Sequence, residues 1–136
     1  MNSTLIALTG FVSWSLFLLV LMESIRTKLV LSGSVPANGF DPGNLGLSPF
    51  MKRLARAHAN CIEGLPIFGG LMVIAVISGK PGITDPLAYI FLTARVLQSA
   101  IHLFSVSAPA VTLRFSAFAV QIAIGLYWAW GLLVSI

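Results

Sequence analysis

The chain has 136 residues, of which 57% are apolar and only 9% charged, with a mean hydropathy of +0.96. A soluble domain carries about 25% charged residues, and one this short cannot hide so much apolar surface, so a soluble enzyme, a disulfide scaffold and a disordered chain are all excluded. The net charge of +4 comes from too few basic residues, too narrowly placed, for a nucleic-acid surface, and the single cysteine, Cys61, forbids an internal disulfide.

The first apolar run, Leu5 to Met22, carries no charge and continues through Glu23, Arg26 and Lys28 to Leu31. About 20 apolar residues cross a bilayer core, so a first span is expected over 4–31. A secretory leader would open with a positive patch. Residues 1–22 have none, so the segment reads as a span. Residues 32–49 are broken by Gly33, Gly39, Gly43 and Gly46 and by Pro36, Pro42 and Pro49. That punctuation predicts a loop, long enough to form a lid or a wall. A second span is expected over 50–79, polar from Met51 to Glu63 and apolar from Gly64 to Ser78. Gly79-Lys80-Pro81-Gly82 reads as a turn. A third span is expected over 86–106, entered through Asp85-Pro86. Ser107-Ala108-Pro109 reads as a second turn, and the fourth span is expected over 110–134. Tyr127, Trp128 and Trp130 near its end suit an interfacial aromatic belt.

The fold class is thus all-α, an integral membrane four-helix bundle forming one domain. Five of the eight Lys and Arg residues lie between Arg26 and Arg56, opposed there only by Asp41. Positive loops face the cytosol, so the 32–49 loop is expected inside and both termini outside. No internal repeat is evident, which argues against an inverted-repeat transporter.

An ionisable group inside a span is a functional-site hypothesis by default. On the second span Arg56, Asn60 and Glu63 fall on one helical face at i, i+4 and i+7. On the third, Arg95, Gln98 or Ser99, and His102 do the same. On the fourth, Arg114, Phe118, Gln121 and Gly125 share a face. Each set has a plain structural explanation: an interhelical polar clamp for Asn60 and Glu63, snorkelling for Arg95, a positive-inside anchor for Arg114. Convergence on one half of the membrane favours a shared pocket. Its cations suit an anionic, peptide-like ligand, because Arg grips carboxylates bidentately. Glu63 is the carboxylate at a depth to pair with Arg95. Glu23 and Arg26 form an i, i+3 pair at the end of the first span. No Cys/His cluster has metal-ligand spacing, no Gly-rich phosphate loop is present, and neither histidine has a nearby carboxylate to orient it for hydrolysis.

Arg56-Ala57-His58-Ala59-Asn60-Cys61-Ile62-Glu63 with the downstream Pro66-Ile67-Phe68 resembles the R-A-x-x-N-x-x-E and P-x-F motif of the membrane-associated proteins in eicosanoid and glutathione metabolism, the MAPEG family. Ala94-Arg95 through His102-Leu103 resembles that family's third-helix motif, and the likeness runs from about Leu5 to Leu132. The resemblance implies a bacterial-type member similar to microsomal glutathione transferases, placed in a bacterial inner membrane. It implies a homotrimer with glutathione bound as co-substrate between neighbouring subunits, and a lipophilic electrophile or lipid hydroperoxide arriving from the membrane lipids. Carried over residue by residue, Arg56, Asn60, Glu63, Arg95, Ser99, His102 and Gln121 would bind glutathione, and Arg114 would activate its thiol. Two departures stand out: His102 replaces the usual third-helix tyrosine, and Phe118 a fourth-helix one. They keep a non-catalytic lipid- or glutathione-binding member of the same fold as the alternative. A small drug exporter would need a carboxylate in the middle of the first span, and Glu23 lies at its end.

Overall fold

The structure, a computed structural model, describes residues 2–136. It is four helices, with no strand among the described residues: α1 (Ser3–Leu31), α2 (Pro49–Ile77), α3 (Pro81–Phe104) and α4 (Ala108–Ser135). The shortest has 24 residues, or about 36 Å at 1.5 Å per residue, against a hydrocarbon core of about 30 Å. Mean hydropathy over the most apolar 18 residues runs from 1.4 in α3 to 2.3 in α1. The chain is an integral, multi-pass membrane protein.

Local chemistry sets the helix ends. Ser48 and Ser107 cap α2 and α4, their hydroxyls accepting from Met51 N at 3.2 Å and Ala110 N at 3.4 Å. Pro49 and Pro109 follow, where a missing N–H costs nothing. Gly79, at φ +70°, ends α2 in a left-handed turn that other residues adopt only with strain. Leu65–Gly69 within α2 is a π-helical turn that accommodates Pro66, whose ring cannot join a regular ladder. Helix α3 starts at Pro81, ahead of the span expected from residue 86. Pro86 sits in its second turn without ending it, and the adjacent Asp85 docks the start of α1. The Asp85 Oδ1 accepts from the Thr4 backbone N–H at 2.9 Å and from the Thr4 hydroxyl at 2.5 Å.

Packing reverses the usual polarity rule. The inward stripe of α1 is Thr4, Ala7, Phe11, Ser15, Leu18 and Met22, at helical spacing. Leu16, Phe17 and Val20 on its outer face are more than half exposed. Lipid tails solvate aliphatic side chains, so small and aromatic residues that let helices approach go inside. At the centre, rings from all four helices meet. Phe91 of α3 lies 5.7 Å from Phe11 of α1, 4.9 Å from Phe68 of α2 and 5.4 Å from Trp128 of α4, ring centre to ring centre. Trp128 is therefore a core residue and not part of an interfacial belt. Tyr127 and Trp130 share the outward face, 58% and 68% exposed, because a 100° step per residue turns 128 away from both.

Helix α3 touches every other helix, and α4 packs chiefly on α3. Helix α4 meets α2 mainly through the later, apolar part of α2. A cleft therefore stays open between the polar half of α2 and α4. The 32–48 connection is strapped across the end of α1. Arg26 donates through Nε and Nη2 to Asn44 Oδ1 (3.0 and 2.5 Å) and through Nη2 to the Asp41 carbonyl (3.2 Å). Asn44 is fully buried at φ +57° and donates to the Met51 carbonyl at 2.7 Å. The segment is a fixed wall beside α1 and α2. The Glu23–Arg26 pair is present at 3.0 Å.

Candidate functional site

The cleft between α2 and α4 widens into a cavity of about 550 Å³. Asn60, Glu63 and Arg95 make its polar part. Ile67, Phe68, Leu71, Phe118, Ile122 and Leu126 make the rest apolar. Two glycines keep it open. A Cβ at Gly64 would stand 2.8 Å from Arg95 Nη2, and one at Gly125 would stand 2.7 Å from the Phe68 ring. The first contact is below van der Waals separation, so the guanidinium reaches the cavity wall only because residue 64 has no side chain.

Arg95 is fully buried. Its Nη1 donates to Asn60 Oδ1 at 2.5 Å, and its guanidinium lies over the Phe11 ring at 5.3 Å and the Phe68 ring at 6.0 Å. Cation–π contacts of this kind are stronger when desolvated. Nε and Nη2 have no hydrogen-bond partner among the described residues. A buried donor without a partner is costly, and here two belong to one cation that borders a cavity.

The expected pairing of Glu63 with Arg95 does not form. Within the described residues the one ion pair is Glu23–Arg26, and Glu63 is exposed. The reason is rotational: Asn60, one turn earlier on α2, points at α3 and takes the guanidinium, while Glu63 turns toward the cavity rim. Glu63→Gln should therefore shift thermal unfolding by less than about 0.5 kcal/mol. A loss of several kcal/mol in a detergent melt would restore the pairing.

Two further amides extend the Asn60–Arg95 contact. Gln98 Nε2 donates to Asn60 Oδ1 at 3.3 Å, and Gln121 Nε2 donates to Gln98 Oε1 at 2.8 Å. Gln98 and Ser99 shared one position in the sequence pattern, and the helix separates them. Gln98 joins the network. The Ser99 hydroxyl pairs with Cys61 Sγ at 3.3 Å and donates to the Arg95 carbonyl at 3.2 Å, tying α2 to α3 away from the cavity. Gln121 is fully buried and does not line the cavity either.

The remaining candidates form a second tier toward the 32–48 connection. The charges of Arg114, Arg56 and Arg53 all bear on His102, which is largely buried. Arg53 Nε donates to the Leu103 carbonyl at 2.9 Å. Arg56 is exposed and Arg114 half-buried. Arg56 precedes Asn60 by one turn, about 6 Å along the axis, so a ligand of peptide length can touch both tiers. The sequence pattern missed Gly64 and the full role of Gln98, and it placed Gly125 on the shared face of the fourth span without seeing that its missing side chain makes room for the Phe68 ring. The spacing did carry a signal for the glycines: Gly64 lies one turn after Asn60, and Gly125 one turn after Gln121.

No group of three or more His, Cys, Asp or Glu among the described residues is placed to hold a metal ion. A family model described as the MAPEG family matches residues 4–134. No curated protein and no solved structure matches the chain.

Proposed function

The chain belongs to the MAPEG family, and from that membership we propose that it is a glutathione-dependent transferase and peroxidase acting on lipophilic electrophiles or lipid hydroperoxides. The observation that carries this reading is the two-sided character of one cavity. Donors from Asn60 and Arg95 and the Glu63 carboxylate stand at one end, and the rest of the lining, from Ile67 and Phe68 to Ile122 and Leu126, is apolar. The fit is chemical. Glutathione has two carboxylates and two peptide carbonyls for the free guanidinium N–H groups and the cationic tier, and an ammonium for Glu63. The apolar part takes the second substrate.

In transfer, the thiol loses its proton to solvent, the sulfur electron pair forms the S–C bond, and the leaving group departs with its own pair. In peroxide reduction, two thiols become one disulfide while ROOH becomes ROH and water. This chain's part is to bind the tripeptide, hold cations where the thiolate forms, and keep that site open to lipid. Arg114 is the proposed activating cation. The exposed Arg56 and Glu63 are unfavourable toward lipid, which supports a homotrimer whose neighbour covers them. The 32–48 segment is assigned to the cytosol, both termini to the opposite side, and the protein to a bacterial inner membrane.

A second reading, a non-catalytic binder of glutathione or lipid, is favoured by one observation: Arg114 does not line the cavity. The two separate in one preparation. Purified protein in mild detergent is titrated with glutathione by calorimetry, its thiolate followed by ultraviolet absorbance, and turnover measured with an aryl halide. Binding with thiolate and turnover is expected, from a species of trimer mass. Binding without either selects the second reading, and no binding overturns both glutathione readings.

A further inference from the structure

We propose that Gln98 and Gln121 are positioning residues that fix which way the Asn60 amide faces, so that Asn60 offers the cavity an N–H donor and never its carbonyl. This rests on reading the cavity as the ligand site. The two glutamines touch no part of it and act through Asn60.

The polarity follows from donor counting. A guanidinium is donor-only, so the Asn60 atom facing Arg95 Nη1 is the oxygen. That oxygen also faces Gln98, which must then present Nε2, at 3.3 Å. Gln98 Oε1 is thereby turned toward α4 and needs a donor, which Gln121 Nε2 supplies at 2.8 Å. Gln121 is held the same way round from its own side, because its Nε2 also donates to the Ala117 carbonyl at 3.1 Å. The backbone of α4 and the cation of α3 thus impose one direction on a chain of three amides. Reversing any one of them would set two N–H groups or two carbonyls face to face in a buried site.

Asn60 sits at the open end of this chain. Both lone pairs of its Oδ1 are occupied, by Arg95 and Gln98. Its Nδ2 makes no hydrogen bond to any described residue, and the side chain borders the cavity. Beside it lies the unpartnered Arg95 Nη2. With Glu63 out at the rim, the patch made by Asn60 and Arg95 therefore offers donors only, and the group it selects is an acceptor, a carboxylate or peptide carbonyl.

A single change makes stability and binding move in opposite directions. In Gln98→Glu a carboxylate stands beside the Asn60–Arg95 contact and gives the buried guanidinium a counter-charge. As an acceptor it also draws the Asn60 amide N–H, leaving the Asn60 carbonyl to the cavity. The expected result is a higher unfolding temperature without ligand and a glutathione affinity lower by about tenfold or more. A packing role for residue 98 predicts that both fall together. The second arm needs no ligand. Gln121→Met should destabilise the wild-type background and do so much less in Gln98→Leu, where the chain is already cut.

Equal costs of Gln121→Met in the two backgrounds would overturn the relay. Parallel loss of stability and affinity in Gln98→Glu would do the same, as would failure of that variant to fold. An unchanged affinity in a stabilised Gln98→Glu would overturn the assignment of the Asn60 donor. Should wild type bind no glutathione, the functional reading fails while the two stability arms still decide the relay.

Discussion

Asn60→Leu is expected to destabilise the protein by about 3 kcal/mol, measured by thermal unfolding in detergent. Asn60 supplies the one acceptor that Arg95 has among the described residues. Arg95 is wholly buried and cannot shed its charge by losing a proton. Removing a sole partner leaves an uncompensated buried cation, which costs far more than an average hydrogen bond. Leucine matches asparagine in size, so cavity formation contributes little. The remedy should be a second substitution. Arg95→Met in the same background removes the stranded charge, keeps the length of the side chain, and should recover most of the loss. Strictly additive effects of the two changes would show that the cation draws its support from elsewhere, with the Phe11 and Phe68 rings the first place to look.

The second large effect is expected in turnover. If Arg114 steadies the thiolate, Arg114→Ala should lower the rate of conjugation by about 10²–10³-fold, the scale seen when one preorganised stabilising group is removed. Glutathione affinity should fall much less, because the neutral thiol has little need of the cation. A free thiol ionises near pH 8.5, and a neighbouring cation lowers that value. The variant should accordingly need higher pH to give the same thiolate absorbance. Arg114→Lys keeps the charge and loses the planar fork, so it should lie between the two. The position of Arg114 fits a role at the boundary of the site. It sits one turn before the cavity residue Phe118, half-buried, with its charge bearing on His102. Unchanged thiolate signal and rate in Arg114→Ala would reduce it to a positive anchor and pass the role to Arg95.

The two predictions differ in how far the sequence could have reached them. Four spans, their all-helical character and the polar first half of the second are written in hydropathy and in the placement of Pro, Gly and Ser. Those signals are local: Ser48-Pro49 and Ser107-Ala108-Pro109 begin helices, and Gly79 ends one, whatever the rest of the chain does. The i, i+4, i+7 spacing of Arg56, Asn60 and Glu63 is equally local and did place them along one side of α2. It could not say which of the three would meet Arg95. One helical face spans a wide arc, and the answer depends on how α2 is rotated against α3. The structure gives the guanidinium to Asn60 and leaves Glu63 at the rim.

Charge complementarity was the misleading guide. Opposite charges predict a Glu63–Arg95 pair, but close helix packing beside Gly64 favours the shorter, neutral amide. The aromatic cluster misled in the same way. Trp128 has the composition of a belt residue and the rotation of a core residue, held against Phe91.

By itself, then, the sequence determined the solvent this protein lives in, the number of its helices, and the residues able to carry charge into the membrane. These depend on transfer free energies and on short-range backbone rules, which need no neighbour to act. Only the tertiary structure decided the pairings: Asn60 with Arg95, Gln98 with Gln121, Ser99 with Cys61, and the cavity held open between Gly64 and Gly125. In a bilayer nearly every helix face is apolar enough to turn either way, so shape and hydrogen-bond satisfaction between helices choose the rotation, and neither can be read from one helix alone.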